Sequence, residues 1–304
     1  MKSIYCLLIG IVLVMLLFTT ITTAASPDRL DTIIERGSLI IAMEPVGAPY
    51  GSIVPGVERS SVTNCSGDCY TENQMTGFDI AVTSAIARKL GVEACYRTPA
   101  HDLVETRNWS GWDLFTNYYI TNDRLDDYYF TRPIVSESSR FYIRTNETEI
   151  TGLSNLSGKI IGVGNASAQL NYLKNKLDII GTVYENPVVD PVIKEYTDEY
   201  DALDALNDES VDAILISETT GEDAIANGTR IVGLNPAAFT GYGAYSLSKQ
   251  SEGDAKQLVE KIDGILADMY TDGELSNLYQ VYLGGEFTKD AESFNISTLN
   301  QFSG

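Results

Sequence analysis

Apolar residues along the chain follow two alternating patterns, one typical of strands and the other typical of helices. Short unbroken apolar runs such as SLIIAM (38–43) and GKIIGVG (158–164) predict buried strands. The segment DALDALNDESVDAILIS (201–217) predicts a helix, a turn and a strand, and residues 255–283 predict an amphipathic helix that breaks at Asp272-Gly273. This alternation of strand-like and helix-like segments indicates the α/β class.

The segment GFDIAVTSAIARKLG (77–91) has the clearest helical pattern. Its apolar stripe consists of Phe78, Val82, Ile86 and Leu90. Asp79 falls in the first turn, where the helix dipole favours a carboxylate, and Gly91 is suited to end the helix. We therefore expect one helix between the two terminal glycines.

A turn-rich segment between Tyr50 and Gly77 interrupts the alternation and is expected to form an exposed loop. It contains Cys65 and Cys69, and Cys95 follows it. These three cysteines allow one disulfide and leave one thiol. We favour a bridge from either Cys65 or Cys69 to Cys95.

The N-terminus has the features of an export signal. A lysine at position 2 precedes an apolar run over residues 4–18, and small residues follow at 22–25. This order predicts a secretory signal peptide over residues 1–25, although an uncleaved membrane anchor shows the same pattern. Seven Asn-x-Ser/Thr sequons are compatible with an exported glycoprotein: Asn64, Asn108, Asn146, Asn155, Asn165, Asn227 and Asn295.

The charge and the residue types exclude several functional classes. A formal net charge of -21 argues against nucleic acid and anionic lipid as partners, because both require basic surfaces. His101 is the only histidine, which argues against a histidine-dependent catalytic triad and against a zinc site. The segment GKIIGVGNAS lacks the full phosphate-loop and dinucleotide signatures, so we expect neither a metal nor a cofactor.

Polar and aromatic residues follow the ends of several predicted strands. Ligands of open α/β sheets bind at the carboxyl ends of strands, so this shared position predicts one binding site. The most informative member is Arg124 in ITNDRLDDYYFTRP (120–133), because a guanidinium grips a carboxylate with two parallel hydrogen bonds. The other candidates are Glu44, Tyr50, Asn117, Tyr119, Ser167, Ser217 and Glu218.

Several segments, taken in order, resemble family 3 of the extracellular solute-binding proteins, the receptors for polar amino acids in ATP-driven uptake systems. The resemblance covers nearly all of residues 28–284. The segments that carry it are LDTIIERGSLIIAM, GFDIAVTSAIARKLG, GWDLFTNYYITNDR, YYFTRPIV, LSGKIIGVGNAS, ALNDESVDAILIS and YTDGELSNLYQVYLG.

The resemblance implies a type II periplasmic binding protein-like α/β fold, in which two α/β lobes are joined by a two-crossing hinge and close on a ligand. Lobe 1 would comprise residues 28–136 and 240–284, and lobe 2 residues 138–238. The crossings would lie near 136–138 and 238–241. Residues 285–304 would form a polar C-terminal tail, which we expect to be peripheral.

The resemblance also implies roles for single residues. Arg124 matches the arginine that holds the ligand α-carboxylate, and Ser167 matches the residue that supports the same group. Tyr50 matches an aromatic residue that packs on the ligand, and Glu44 matches a position that is acidic in receptors for basic amino acids.

Two positions depart from the family pattern. Asn117 and Tyr119 stand where small or hydroxyl residues are common. The aspartate that pairs with the ligand α-ammonium would fall at Ser217, and the neighbouring Glu218 would point to the other side of a regular strand. Either the alignment shifts at the strand end or the ammonium site is altered.

We therefore expect a non-catalytic, monomeric receptor that captures a small carboxylate-bearing solute, an amino acid or a related compound, and presents it to the membrane permease of an ABC transporter. It would act at the extracellular face of the membrane or in the periplasm. The alternatives are an exported enzyme similar to cyclohexadienyl dehydratase, in which Glu44 or Glu218 serves as general acid, and a ligand-sensing ectodomain.

Overall fold

The computed structural model describes residues 28–44, 49–99, 103–104, 109–180, 184–251, 253–284 and 291–299. The predicted signal segment, His101 and the sequon at Asn108 lie outside these ranges. In the described part of the chain, no helix combines the length and the apolar character needed to cross a membrane.

Strands and helices alternate, as the hydrophobic pattern predicts. The helices are α1 (Arg29–Arg36), α2 (Phe78–Leu90), α3 (Asn122–Leu125), α4 (Ala168–Leu173), α5 (Glu199–Asn207), α6 (Glu218–Ala226), α7 (Lys256–Thr271) and α8 (Glu274–Tyr282). The strands are β1 (Ser38–Ala42), β2 (Ser52–Ile53), β3 (Tyr70–Thr71), β4 (Met75–Thr76), β5 (Glu93–Arg97), β6 (Leu114–Tyr119), β7 (Tyr128–Phe130), β8 (Val135–Arg144), β9 (Ile160–Gly164), β10 (Val192–Tyr196), β11 (Ala213–Ser217), β12 (Ile231–Gly233) and β13 (Phe239–Ser248).

One mixed sheet of eleven strands runs through the molecule in the order β10-β9-β11-β8-β13-β6-β1-β5-β3, with β12 beside β8 and β7 beside β13. Strand β1 pairs in parallel with β5 and β6, and β9 pairs in parallel with β10 and β11. These two parallel groups are connected through the long antiparallel pair β8 and β13.

The buried apolar residues form separate clusters on the two sides of the β8–β13 pair. One large cluster draws on residues 33–135 and 245–279, and another draws only on residues 141–239. The paired stretches 135–139 and 239–243 lie between these clusters. The two segments at which the sequence places the hinge crossings are therefore hydrogen-bonded to each other.

Helix α2 shows how the sequence sets an element and its limits. The helix ends at Gly91, which adopts a left-handed conformation with φ of 79° that costs glycine little. Phe78, Val82 and Ile86 are buried as the periodicity predicts, but Asp79 is buried as well. The helix packs on more than one side, and the carboxylate in its first turn faces the protein interior.

The segment from Tyr50 to Gly77 is attached to the sheet at two places. Strand β3 pairs with β5, and a disulfide joins Cys65 to Cys95, which is one of the two pairings that the sequence left open. Cys69 is the buried free cysteine of the described chain.

The C-terminal tail is less peripheral than expected over residues 291–299. Ala291 and Leu299 are buried, and the ring of Phe294 lies 4.9 Å from that of Tyr242. Apolar side chains within a polar segment explain the difference, because burial of each removes apolar surface from water.

Candidate functional site

A cavity of about 190 Å³ lies where the two halves of the sheet meet, and we call it the central cavity. Its lining residues come from both sides of the β8–β13 pair. They include seven of the eight residues that the sequence predicts for a binding site: Glu44, Tyr50, Asn117, Tyr119, Arg124, Ser167 and Ser217. The cavity is smaller than the usual range for drug-sized ligands, which fits a single small solute.

Glu218 is not among the lining residues. Its carboxylate accepts hydrogen bonds from the guanidinium of Arg140, with the Nη2–Oε1 distance at 2.6 Å. Because Glu218 begins α6 directly after Ser217 ends β11, the two side chains point in different directions. Glu218 therefore takes no part in the site described below.

Arg124 is held in a defined orientation at the wall of the central cavity. Its side chain is largely buried, with 7% of the residue exposed. Nη1 donates to the carbonyl oxygen of Tyr119 at 3.1 Å, and the guanidinium lies 3.4 Å from the centre of the Tyr118 ring. Such stacking fixes the plane of the guanidinium.

The end of β6 is distorted next to Arg124. Strand β6 has one more residue than β13 between the pairs Tyr118–Ala244 and Phe115–Ser246, which is the pattern of a β-bulge. Asn117 lies in this stretch with φ of 46°. A side chain at Gly243 would come within 2.2 Å of Asn117 Oδ1, so a glycine is required there. The bulge explains how both Tyr118 and Tyr119 reach the cavity.

Ser167 lies at the start of α4, after the turn that follows β9. Its hydroxyl donates to the carbonyl oxygen of Gly164 at 2.7 Å and accepts from the backbone N–H of Leu170 at 3.0 Å. The hydroxyl of Ser167 therefore caps the N-terminus of α4 and holds the turn after β9 in place at the wall of the cavity.

Ser217 holds the carboxylate of Glu199, a residue that the sequence analysis did not select. The backbone N–H of Ser217 donates to Glu199 Oε1 at 2.9 Å, and its hydroxyl donates to Oε2 at 2.8 Å. The side-chain amide of Gln169 also donates to Oε1, at 3.0 Å. Glu199 thus brings a carboxylate to the strand end at which this chain has Ser217 where the sequence comparison with the family led us to expect an aspartate. Burial raises the pKa of Glu199, and the hydroxyl of Ser217 offsets part of that effect.

Two further carboxylates of the lining are almost fully buried. Asp79 in the first turn of α2 is 2% exposed, and Glu137 in β8 is 8% exposed. Burial raises the pKa of Asp79 to about 8 and that of Glu137 to about 7. The negative charge of Glu137 also contributes to the rise at Asp79.

Tyr50 and Glu44 complete the wall that follows β1. The hydroxyl of Tyr50 lies 3.3 Å from the hydroxyl of Thr219, a residue of α6 on the other side of the β8–β13 pair. Glu44 follows the end of β1, and its charge contributes to the raised pKa of Glu199. The two sides of the cavity therefore touch at the Tyr50–Thr219 contact.

Sequence reasoning missed Glu199 and Glu137 and gave Asp79 only a helix-dipole role. Glu199 stands just after the end of β10, so the strand-end criterion could have found it had that strand been recognised. Glu137 lies inside a strand and carries no local signal.

The charges of the lining are unbalanced. Among the described residues, one basic side chain, Arg124, lines the cavity together with five acidic residues, namely Glu44, Asp79, Glu137, Asp198 and Glu199.

Comparison with known proteins places these features in a family. The family model of the bacterial extracellular solute-binding proteins, family 3, matches residues 67–285. The L-cystine-binding protein TcyJ of Escherichia coli (strain K12) is 22% identical over 278 residues, which cover 89% of this chain and 91% of that protein.

Solved structures share the fold. The structure of Tv2483 bound to L-arginine superposes with a TM-score of 0.70 at 18% identity and covers 86% of this chain and 97% of its own. The ancestral amino acid-binding protein AncCDT-1, a precursor of cyclohexadienyl dehydratase, has a TM-score of 0.66 at 17% identity, covering 84% of this chain and 99% of its own. These similarities confirm the type II periplasmic binding protein-like α/β fold.

Proposed function

This chain belongs to family 3 of the bacterial extracellular solute-binding proteins, and we propose that it is the receptor that captures an amino acid for an ABC uptake transporter. The observation that carries the proposal is that Arg124 and Glu199 line the same small cavity. A guanidinium and a carboxylate on separate walls are complementary to the two charges of an α-amino acid. TcyJ is named as an L-cystine-binding protein, and the structure of Tv2483 contains L-arginine. Both compounds are α-amino acids.

In this proposal Arg124 holds the ligand α-carboxylate, and Ser167 supports the same group. Glu199 receives the α-ammonium in place of the aspartate expected at Ser217, and Ser217 orients it. Tyr50 and Tyr119 cover the ligand, and Asn117 shapes the wall beside Arg124. An enclosed site strengthens these interactions because water does not compete for the donors.

We further propose that capture proceeds by closure of two lobes. The buried clusters on the two sides of the β8–β13 pair support lobes of 28–136 with 240–284 and of 138–238. The contact between Tyr50 and Thr219 would form on closure, and ligand binding would shift the equilibrium toward the closed state.

We also propose that the mature protein acts outside the cell membrane. The predicted signal segment would direct export, with retention by an anchor as the alternative, and the closed monomer would dock on a transporter permease. These assignments rest on the family and on the sequence of residues 1–25.

Substitution of Arg124 tests the proposal directly. The full-length protein is stripped of ligand and screened against amino acids by thermal shift and calorimetry. A ligand at 100 times its dissociation constant should stabilise the native protein by about 2.7 kcal/mol.

We expect Arg124→Ala to abolish this stabilisation, since the guanidinium that would hold the ligand carboxylate is lost. Arg88→Ala is the matched control, because Arg88 is exposed and pairs with Glu72 far from the lining. Binding of near-normal affinity in Arg124→Ala would overturn the assignment.

A second candidate function is the elimination reaction of a cyclohexadienyl dehydratase. The specific observation in its favour is Glu137, a buried cavity carboxylic acid whose pKa of about 7 suits a general acid. The fold is also that of AncCDT-1. Turnover of prephenate or arogenate by the purified protein would support it, and binding of amino acids without turnover would exclude it.

A further inference from the structure

Two acidic side chains of the central cavity each have an oxygen without a hydrogen-bond partner. These atoms are Asp79 Oδ1 and Glu137 Oε1. Both residues line the cavity and both are more than nine-tenths buried. A buried carboxylate oxygen without a donor is costly, so such atoms in a ligand cavity indicate a donor that the ligand supplies.

The two carboxylates come from different elements and converge on one region. Glu137 lies in β8, within the stretch paired to β13, and Asp79 lies in the first turn of α2. Glu137 Oε2 accepts from the hydroxyl of Tyr119 at 3.5 Å, and the hydroxyls of Thr219 and Tyr50 lie close enough to favour the ionised carboxylate. No donor reaches Oε1 with hydrogen-bond geometry among the described residues. The titratable or polar groups that face Glu137 are Tyr50, Asp79, Tyr119, Glu199 and Thr219. The hydroxyl of Tyr245 faces Asp79. None of these groups is basic in the part of the chain that the structure describes.

An α-amino acid with an uncharged side chain would bring no cation to the region around Asp79 and Glu137. The ligand carboxylate would meet Arg124 and its α-ammonium would meet Glu199, which adds no net charge. Asp79 and Glu137 would then share the closed cavity, and each would keep a buried oxygen without a hydrogen-bond donor among the described residues. Carboxylates held together in a water-poor site repel each other unless a cation or protons separate them.

We infer that the ligand carries a second positive charge on its side chain, an ammonium or a guanidinium, and that Glu137 together with Asp79 receives it. This inference deepens the proposed function and rests on it. The ligand class is that of α-amino acids with a basic side chain, and Glu137, located between the two halves of the sheet, determines the preference.

The protonation of these groups gives the inference an independent signature. With a pKa of about 7 for Glu137 and about 8 for Asp79, the empty cavity holds protons at neutral pH. A cation binds the ionised carboxylates, so these protons must leave when it binds. The affinity for a basic amino acid should therefore rise from pH 6 to pH 9, whereas the affinity for a neutral amino acid should stay nearly constant.

The test compares ligands that differ only in the side-chain charge. Calorimetry on the full-length, ligand-stripped protein uses arginine with citrulline and lysine with norleucine. At pH 8 we expect the dissociation constant of the basic member of each pair to be lower by about 30-fold or more. Release of protons should make the measured heat of binding depend on the ionisation enthalpy of the buffer. These measurements need no variant.

Glu137→Gln then assigns the preference to a residue. It should bring the affinities for arginine and citrulline to within a few-fold of each other and should remove most of the pH dependence. Glu260→Gln is the charge-matched control, since Glu260 is exposed on α7, and it should change nothing.

The outcomes separate this inference from the proposed function. Equal affinity for arginine and citrulline in the unmodified protein would overturn the inference and leave the amino-acid receptor intact. A preference that survives in Glu137→Gln would overturn the role of Glu137. Failure to bind any amino acid would overturn the proposed function itself.

Discussion

Three donors fix the carboxylate of Glu199: the backbone N–H and the hydroxyl of Ser217, and the side-chain amide of Gln169. None of the three is charged, so the carboxylate is oriented but its charge is not neutralised. Such an arrangement suits a group whose counter-charge arrives with the ligand.

Removal of the charge at Glu199 is expected to weaken amino-acid binding by about 30-fold or more, since the ammonium would lose its buried partner. Glu199→Gln should leave the affinity for a carboxylate without an α-ammonium unchanged, as calorimetry can measure. Glu195→Gln is the control, because Glu195 is exposed and pairs with Lys174 at 2.7 Å. Equal losses for both kinds of ligand would show that Glu199 has only a structural role.

The residues of the site differ in how far the sequence could predict them. Arg124 and Ser167 were accessible because each stands in a local motif that specifies its position. Glu199 was not, because its role depends on the parallel neighbours β9, β10 and β11, which bring the start of α5 beside Ser217. Glu137 could not be found locally, since its importance comes from burial by side chains distant in the sequence.

At the scale of elements, periodicity located the helices well. Helix α2 and the break between α7 and α8 lie where the apolar pattern and the glycines place them. The bulge in β6 was not predictable from the alternation, because the extra residue is accommodated by Gly243 on β13, more than a hundred residues later. Pairing between distant strands decides such details.

The Cys65–Cys95 disulfide attaches the segment before α2 to β5 and closes a stretch of 30 residues. Its removal in the double variant Cys65→Ser/Cys95→Ser should lower the free energy of unfolding by about 3 to 4 kcal/mol, because the unfolded chain gains entropy. Urea denaturation measures this change. Neither cysteine lines the central cavity, so ligand affinity should be retained.

Cys69→Ser is the control for this experiment, since Cys69 is the free cysteine of the described chain. It should cost much less than loss of the disulfide. A similar loss in both variants would mean that burial of the sulfur atoms, and not the covalent link, stabilises the segment.

At the scale of the whole molecule, the two buried clusters share one sheet through β8 and β13. Ligand binding is expected to bring the lobes together, and small-angle X-ray scattering of the stripped protein should show a smaller radius of gyration after saturation with ligand. Arg124→Ala should show no change at the same ligand concentration. An unchanged radius in the unmodified protein would contradict capture by closure.

The contact between Ser217 and Glu199 has a consequence for how this sequence can evolve. An aspartate at position 217, the residue expected from the family pattern, would face the carboxylate of Glu199 at hydrogen-bond distance and repel it. Loss of Glu199 alone would remove the ammonium partner and leave Ser217 without its acceptor. Either single substitution is expected to weaken ligand binding, and the pair Ser217→Asp/Glu199→Ser is expected to return a carboxylate to the strand end. The two positions are therefore expected to be epistatic.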